Sequence, residues 1–371
     1  MTEILREMCS IPTAPFLEDR VVEYVKKFVA KRKKLRLARD EHGNLLVSLA
    51  GRSKAVARWV FTAHMDHPGL ISGKMIDERT VECELRGWVL AELMKGAKVR
   101  FFAGEREIRG EIVEVMAEEG EGRGARGKVV SVRVGKKVPE NCVGMFDVGT
   151  GRIKSGKFYC RVCDDLAGAA AALAMMDELH RNPPQSGVAV LLTRAEEEGF
   201  IGATAASIEP RLLKKSDRIV AIECSAAQAY AKIGDGAIIR VGDRTSIFNS
   251  PLTFFLTQQA EALSKSDSSF KFQRQLMPGG TCEASVYDVY GFHAAAMCVA
   301  LGNYHNMDRK RRRIAAEFID VGDWTNMVKL FLAVAREGHK YTGTHQALKA
   351  RIEKRFEGLR HLLNERGERS A

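Results

Sequence analysis

His64, Asp66 and His67 stand close together directly after the apolar run Trp59-Val60-Phe61. Imidazole nitrogens and carboxylate oxygens are the donors of a metal site, but a single histidine is more often satisfied by local hydrogen bonds. The stretch therefore needs partners elsewhere in the chain, and the other apolar runs supply them. Glu196 and Glu197 follow the run that ends at Leu192, Glu223 follows Ile222, His305 stands just beyond Leu301, and Asp164 heads an alanine-rich segment. Glu196-Glu197-Glu198 alone would read as an acidic helix start. With His64 and His305 both ending strands of one sheet, two imidazoles and the carboxylates of three further segments converge on its edge. Such a nitrogen and oxygen set suits Zn²⁺, with Co²⁺ or Mn²⁺ as substitutes.

Donors so far apart in sequence need a rigid frame. Residues 57–62 are short, β-branched and aromatic, which predicts a buried strand ending where the polar residues begin. Residues 44–49, 186–193, 218–222 and 293–301 have similar strand character. Apolar residues at helical spacing predict helices over 16–33, 164–180, 250–263, 318–336 and 345–363. Alternation of strands and helices implies crossover connections, so the fold class is α/β, a mixed, mostly parallel sheet flanked by helices. In such sheets the loops after the strand carboxyl ends face a shared crevice. Between Ile71 and Asp147 the texture changes to short alternating segments, at 80–85, 98–102, 111–115 and 128–134, separated by glycine-bearing turns. These predict a small inserted all-β domain over 71–147, with 1–70 and 148–371 forming the α/β domain. Within the insert, Glu118 to Gly124 reads as a mobile hairpin or loop.

At 371 residues and 45% hydrophobic composition the chain can bury a large core. No apolar run approaches a membrane span and the N-terminus lacks a signal-peptide layout, so the expectation is a cytoplasmic protein with no membrane partner. Eight scattered cysteines predict free thiols, and Cys160 with Cys163 forms one CxxC without a second pair. The net charge of +11 comes from clusters such as Lys31-Arg32-Lys33-Lys34 and Arg309 to Arg313, spread among glutamates. They read as solvated faces rather than a nucleic-acid stripe.

The ordered set His64-x-Asp66, Asp164-Asp165, Glu196-Glu197-x-Gly199-x-x-Gly202-Ala203, Glu223 after a strand, Gly279-Gly280-Thr281 and a late His305 resembles the co-catalytic zinc aminopeptidases and their deacylase relatives. The likeness runs from Phe16 to about Leu330, and within that group it is strongest to the glutamyl aminopeptidase family that includes the tetrahedral aminopeptidases. The resemblance implies a zinc-exopeptidase-like fold with two zinc ions per chain, His64 and Glu223 holding one, Glu197 and His305 the other, and Asp164 bridging both. It implies that Asp66 fixes the free ring nitrogen of His64 and that the Asp164-Asp165 peptide is cis. Glu196, beside a carboxylate committed to metal, is then the general base, taking a proton from a shared water and passing it to the leaving amine. The implied substrate is a peptide or small amide, and the implied assembly is a homo-oligomer. Removal of N-terminal residues is the leading activity; the alternatives are an N-acyl amino acid or amide deacylase and a metal-binding homologue without turnover. The chain departs from the family pattern at Leu166, where an arginine is common, at Glu223 in place of aspartate, and at Cys282-Glu283 after the Gly-Gly-Thr turn. Glu283 is left either as an anchor for a substrate amino group or as a helix cap.

Overall fold

The computed structural model describes residues 1–50, 57–118 and 125–363. Strands Gly187–Thr193, Arg58–His64, Arg218–Ala226 and His293–Gly302 lie side by side in that order and run parallel. Successive side chains of a strand point to opposite faces. Phe61, Val190, Val220 and Met297 enter one buried cluster, and Val60, Leu191, Ala221 and Ala296 enter another on the opposite face. Both faces are covered, which is why these segments read as unbroken apolar runs rather than as alternating ones. Helices Thr2–Cys9, Leu166–Leu179, Ser250–Ser266 and Val321–Glu337 cover the first face. Ile201–Ile208 and Glu283–Val289 cover the second.

Outside this parallel centre the sheet turns antiparallel. Leu45–Leu49 and Leu35–Arg39 extend one side, and Glu317–Asp320, Lys157–Cys160 and Arg152–Lys154 extend the other. Ala237–Gly242, paired with Phe272–Leu276, joins along His293–Gly302. The result is the mixed α/β sheet flanked by helices that the sequence predicts.

Between His64 and Asp164 the chain leaves this sheet and closes a six-stranded antiparallel barrel, in the order Gly69–Met75, Thr80–Arg86, Arg126–Val134, Arg106–Glu118, Lys98–Ala103 and Val143–Phe146. Thr80–Arg86 alternates strictly, sending Val81, Cys83 and Leu85 inward. Closure is tight at Gly144, where a Cβ would lie 2.6 Å from the Phe101 ring. The loop predicted over Glu118–Gly124 falls, from 119 to 124, outside the described residues.

Some boundaries move. The helix predicted to start at Phe318 starts at Val321, because Glu317–Asp320 first pairs as a strand with Lys157–Cys160. Asp320 then caps the helix, accepting from the Gly322 and Asp323 amides at 2.8 and 3.1 Å. The helices predicted over 16–33 and 345–363 are Asp19–Ala30 and Gln346–Leu359. All eight cysteines are buried and unpaired. No helix among the described residues is long and apolar enough to cross a membrane.

Candidate metal centre

Parallel strands end on one edge of their sheet, and the candidate donors gather there. His64 is the last residue of its strand, in register with Thr193 of its neighbour, so Glu196 and Glu197 sit on the turn just beyond. Glu223 lies within Arg218–Ala226, and His305 follows the end of His293–Gly302. Asp164 precedes the helix Leu166–Leu179, and its peptide bond to Asp165 is cis. His64 Nε2 is 3.5 Å from Asp164 Oδ1 and 3.9 Å from Glu196 Oε2. His305 Nε2 is 3.1 Å from Glu197 Oε1 and 3.9 Å from Asp164 Oδ2. Two trios, His64-Asp164-Glu223 and Asp164-Glu197-His305, each bring their donor atoms within 4.8 Å of one another and share Asp164. All five predicted donors therefore converge, with Glu196 beside them.

Crowding carboxylates in a buried site has an electrostatic consequence. Burial first, and then the Asp164 charge, pushes Glu223 up to about 8. Burial likewise raises Glu196 and Glu197 above the ordinary carboxylate range, against the pull of His64 on the former and His305 on the latter. Burial alone would lower His305, but the Glu197 carboxylate outweighs it and lifts the imidazole to about 9. Asp164 Oδ1, Glu197 Oε1 and His305 Nε2 are buried and make no hydrogen bond. Glu197 Oε1 and His305 Nε2 approach to 3.1 Å without the alignment of a full hydrogen bond. Buried polar atoms without partners are costly unless a cation satisfies them, so the residues present fit a divalent metal.

Several groups hold the donors from behind. Asp66 Oδ1 accepts from the Glu196 amide at 3.0 Å and Oδ2 from the Glu197 amide at 3.1 Å. The same Oδ1 faces His64 Nδ1 at 3.4 Å, so one carboxylate touches three members of the site. His67, the second histidine of the opening stretch, is not among the donors: its Nδ1 donates to the Asp164 carbonyl at 2.6 Å. Burial, and then His305, lowers it to about 4. Glu317 accepts from the amides of Cys163, Asp164 and His305. The ring of His305 donates through Nδ1 to the Trp88 carbonyl of the chain between two barrel strands, at 2.6 Å. Ala195 and His305 take left-handed backbone angles, φ 50° and 54°, each costing on the order of 1 kcal/mol that the surroundings must offset. Sequence patterns single out neither Glu317 nor Trp88, because one acts on backbone amides and the other through its own carbonyl.

A cavity of about 1050 Å³ opens over the centre, with Asp164, Glu196 and Glu223 on its floor and Gln228, Thr281 and Asn303 among its walls. Arg309 and Lys310 of the basic cluster line it too, while Arg311 and Arg312 sit on an exposed turn and Arg313 in the short strand Arg313–Ile314. Arg240 is buried beside Glu223 and donates to Ser225 Oγ. Glu283 does not line this cavity. It is the first residue of Glu283–Val289, is buried, and accepts from Thr62 Oγ1 at 3.1 Å inside the sheet.

Known structures share this architecture. The Pyrococcus horikoshii TET1 peptidase superposes with a TM-score of 0.75 at 22% identity, covering 90% of this chain and 99% of its own. An aminopeptidase from the archaeon Desulfurococcus kamchatkensis gives 0.74 at 21%, covering 92% and 98%. A Thermotoga maritima protein described as an endoglucanase gives 0.67 at 18%, covering 90% and 97%. At these identities the likeness establishes the fold alone. No curated protein matches this chain. The sequence pattern of the M42 glutamyl aminopeptidases matches residues 43–330, a span that takes in every donor from His64 to His305, and the chain therefore belongs to the M42 glutamyl aminopeptidase family.

Proposed function

We propose that the chain is a two-metal aminopeptidase that removes N-terminal residues from peptides in the cytoplasm, with residues 1–70 and 148–371 as its catalytic unit and 71–147 as an insert. One observation carries this reading: two donor trios share Asp164 and leave three buried polar atoms without partners. His64 and Glu223 would hold one cation and Glu197 and His305 the other, with Asp164 within reach of both. The mixed nitrogen and oxygen donors favour zinc, with cobalt or manganese as substitutes. Such a pair would supply Lewis acidity, lowering the pKa of a water and polarising the scissile carbonyl. Glu196 stands outside both trios that share Asp164, and its carboxylate takes the water's proton and returns it to the leaving amine. Asp66 keeps Glu196 and Glu197 in place through their amides, so that base and donor do not exchange roles. The cavity walls would orient the peptide over the centre. The assembly of the TET1 peptidase into a tetrahedron or octahedral shell supports a homo-oligomer here, which light scattering would measure.

Purified protein should contain close to two zinc ions per chain and cleave aminoacyl anilides with free amines. Glu196→Gln should keep metal and fold while kcat falls by about 10²–10⁴-fold, the usual contribution of a general base. Activity confined to N-acylated substrates would instead make the chain a deacylase, and full metal loading without turnover on either panel would make it a binding protein.

A further inference from the structure

The cavity over the centre has a charged rim. Arg309 and Lys310 line it, are exposed, and lie on the turn between Met307–Asp308 and Arg313–Ile314, a few residues beyond the candidate donor His305. Their basic neighbours are already neutralised. Arg311 and Arg313 face the Asp308 carboxylate at 3.1 and 3.7 Å, and Arg312 faces Glu92 at 3.1 Å. Asp308 is buried and also accepts from the Arg311 amide at 3.1 Å, which anchors the turn. Arg309 lies over the Trp88 ring, 5.6 Å from its centroid, and Trp88 is itself part of the cavity wall. Among the described residues neither Arg309 nor Lys310 has an acidic partner within ion-pair reach. The two cations that face the cavity are thus the two of the cluster that no carboxylate of the chain satisfies.

Which part of a substrate they meet follows from the reaction. An aminopeptidase cuts after one residue, so only that residue lies on the amine side of the bond held over Asp164, Glu196 and Glu223. The remaining chain must run out to solvent along the cavity wall. A compact space of about 1050 Å³ is about 12 Å across and an extended residue covers about 3.4 Å, so the leaving chain reaches an exposed rim after about three residues. We infer that Arg309 and Lys310 bind a carboxylate on the leaving side of the peptide. Its source is either the terminal carboxylate of a short peptide or an Asp or Glu side chain shortly past the scissile bond. The guanidinium, held against Trp88, offers a fork of donors that fits a carboxylate, and the ammonium adds a second charge. The inference rests on the aminopeptidase reading, since a substrate without a leaving chain has nothing to place at the rim.

The test takes ratios of kcat/KM within each variant of the full chain, so that losses of fold or metal cancel. With X the first residue that the anilide panel favours, the substrates are X-Gly-Gly, X-Gly-Gly-amide and X-Gly-Asp-amide. Wild type should cleave at least one of the two carboxylate-bearing peptides about tenfold more efficiently than X-Gly-Gly-amide, through a lower KM at similar kcat. Preference for X-Gly-Gly assigns the terminal carboxylate, and preference for X-Gly-Asp-amide assigns an acidic side chain. In Arg309→Gln with Lys310→Gln the ratio should fall to about unity. In Arg311→Gln with Arg312→Gln, whose side chains are paired outside the cavity, it should stay at the wild-type value. Equal kcat/KM for all three peptides in wild type overturns the inference. So does a ratio that falls equally in both variants, which would assign the preference to the net charge of the cluster. Cleavage of the anilides without any such ratio leaves the aminopeptidase reading standing while this inference fails; absence of cleavage of every free-amine substrate removes both.

Discussion

Glu317 is not among the candidate donors, yet it is in contact with two of them. Its Oε2 accepts from the Cys163 and Asp164 amides at 2.7 and 3.0 Å, and its Oε1 accepts from the His305 amide at 2.8 Å. It is fully buried, and burial followed by the Asp164 charge raises it to about 8. The shared donor and the far histidine are thus hung from one carboxylate. In Glu317→Gln one of the two oxygens becomes an amino group, which cannot accept, so at least one buried amide is left facing a donor. That should cost about 1–3 kcal/mol of stability, read as a lower melting temperature of the metal-free protein. Zinc affinity, measured by competition with a chelator, should fall about 10–100-fold. Unchanged affinity would remove Glu317 from any positioning role. The clustering of the candidate donors was legible because each stands at or near the end of an apolar run or opens a helix, so type and place in the chain coincide. Glu317 was not: one acid before Phe318 has no spacing that separates it from an ordinary surface residue.

At the scale of elements, the parallel centre was readable because burial on both faces demands continuous apolar sequence. The edges were not, for the same physical reason in reverse. Leu35–Arg39 pairs on one side only and leaves most of its residues in contact with water, so little apolar pattern remains. Gly69–Met75 and Val143–Phe146 gain their strand character from closing the barrel on each other, a long-range condition that local propensity does not carry. One element junction bears directly on Glu196, the proposed base. Helix Ile201–Ile208 begins against the end of Gly187–Thr193: a Cβ on Gly202 would lie 2.4 Å from the Arg194 nitrogen and 2.5 Å from its oxygen. These are backbone atoms and cannot swing aside, so Gly202→Ala must push the helix away from the Arg194-Ala195 turn that carries Glu196. Overpacking of this kind costs about 1–3 kcal/mol. The variant should melt lower and lose kcat with little change in KM, because the base moves while the cavity walls stay. A variant with wild-type kcat would show that the turn tolerates the shift.

For the whole molecule, the barrel and the sheet meet at the metal centre itself. The chain that runs from His64 to Asp164 passes through all six barrel strands, and the barrel side returns a backbone carbonyl, that of Trp88, to the ring of His305. Met307, two residues after His305, is buried in the barrel's apolar cluster and lies against the Leu90 amide. Barrel seating and the orientation of one donor are thus carried on the same short segment. Met307→Ala should cost about 2–5 kcal/mol through the space it leaves, and it should also weaken zinc binding, because the carbonyl that fixes the His305 ring is no longer held in place. Val132→Ala, which opens space inside the barrel away from this seam, should lower the melting temperature with zinc affinity unchanged. The pair separates coupling from mere instability: equal loss of zinc affinity in both variants would mean that the barrel supports the centre only by keeping the chain folded, whereas loss in Met307→Ala alone places the coupling at His305.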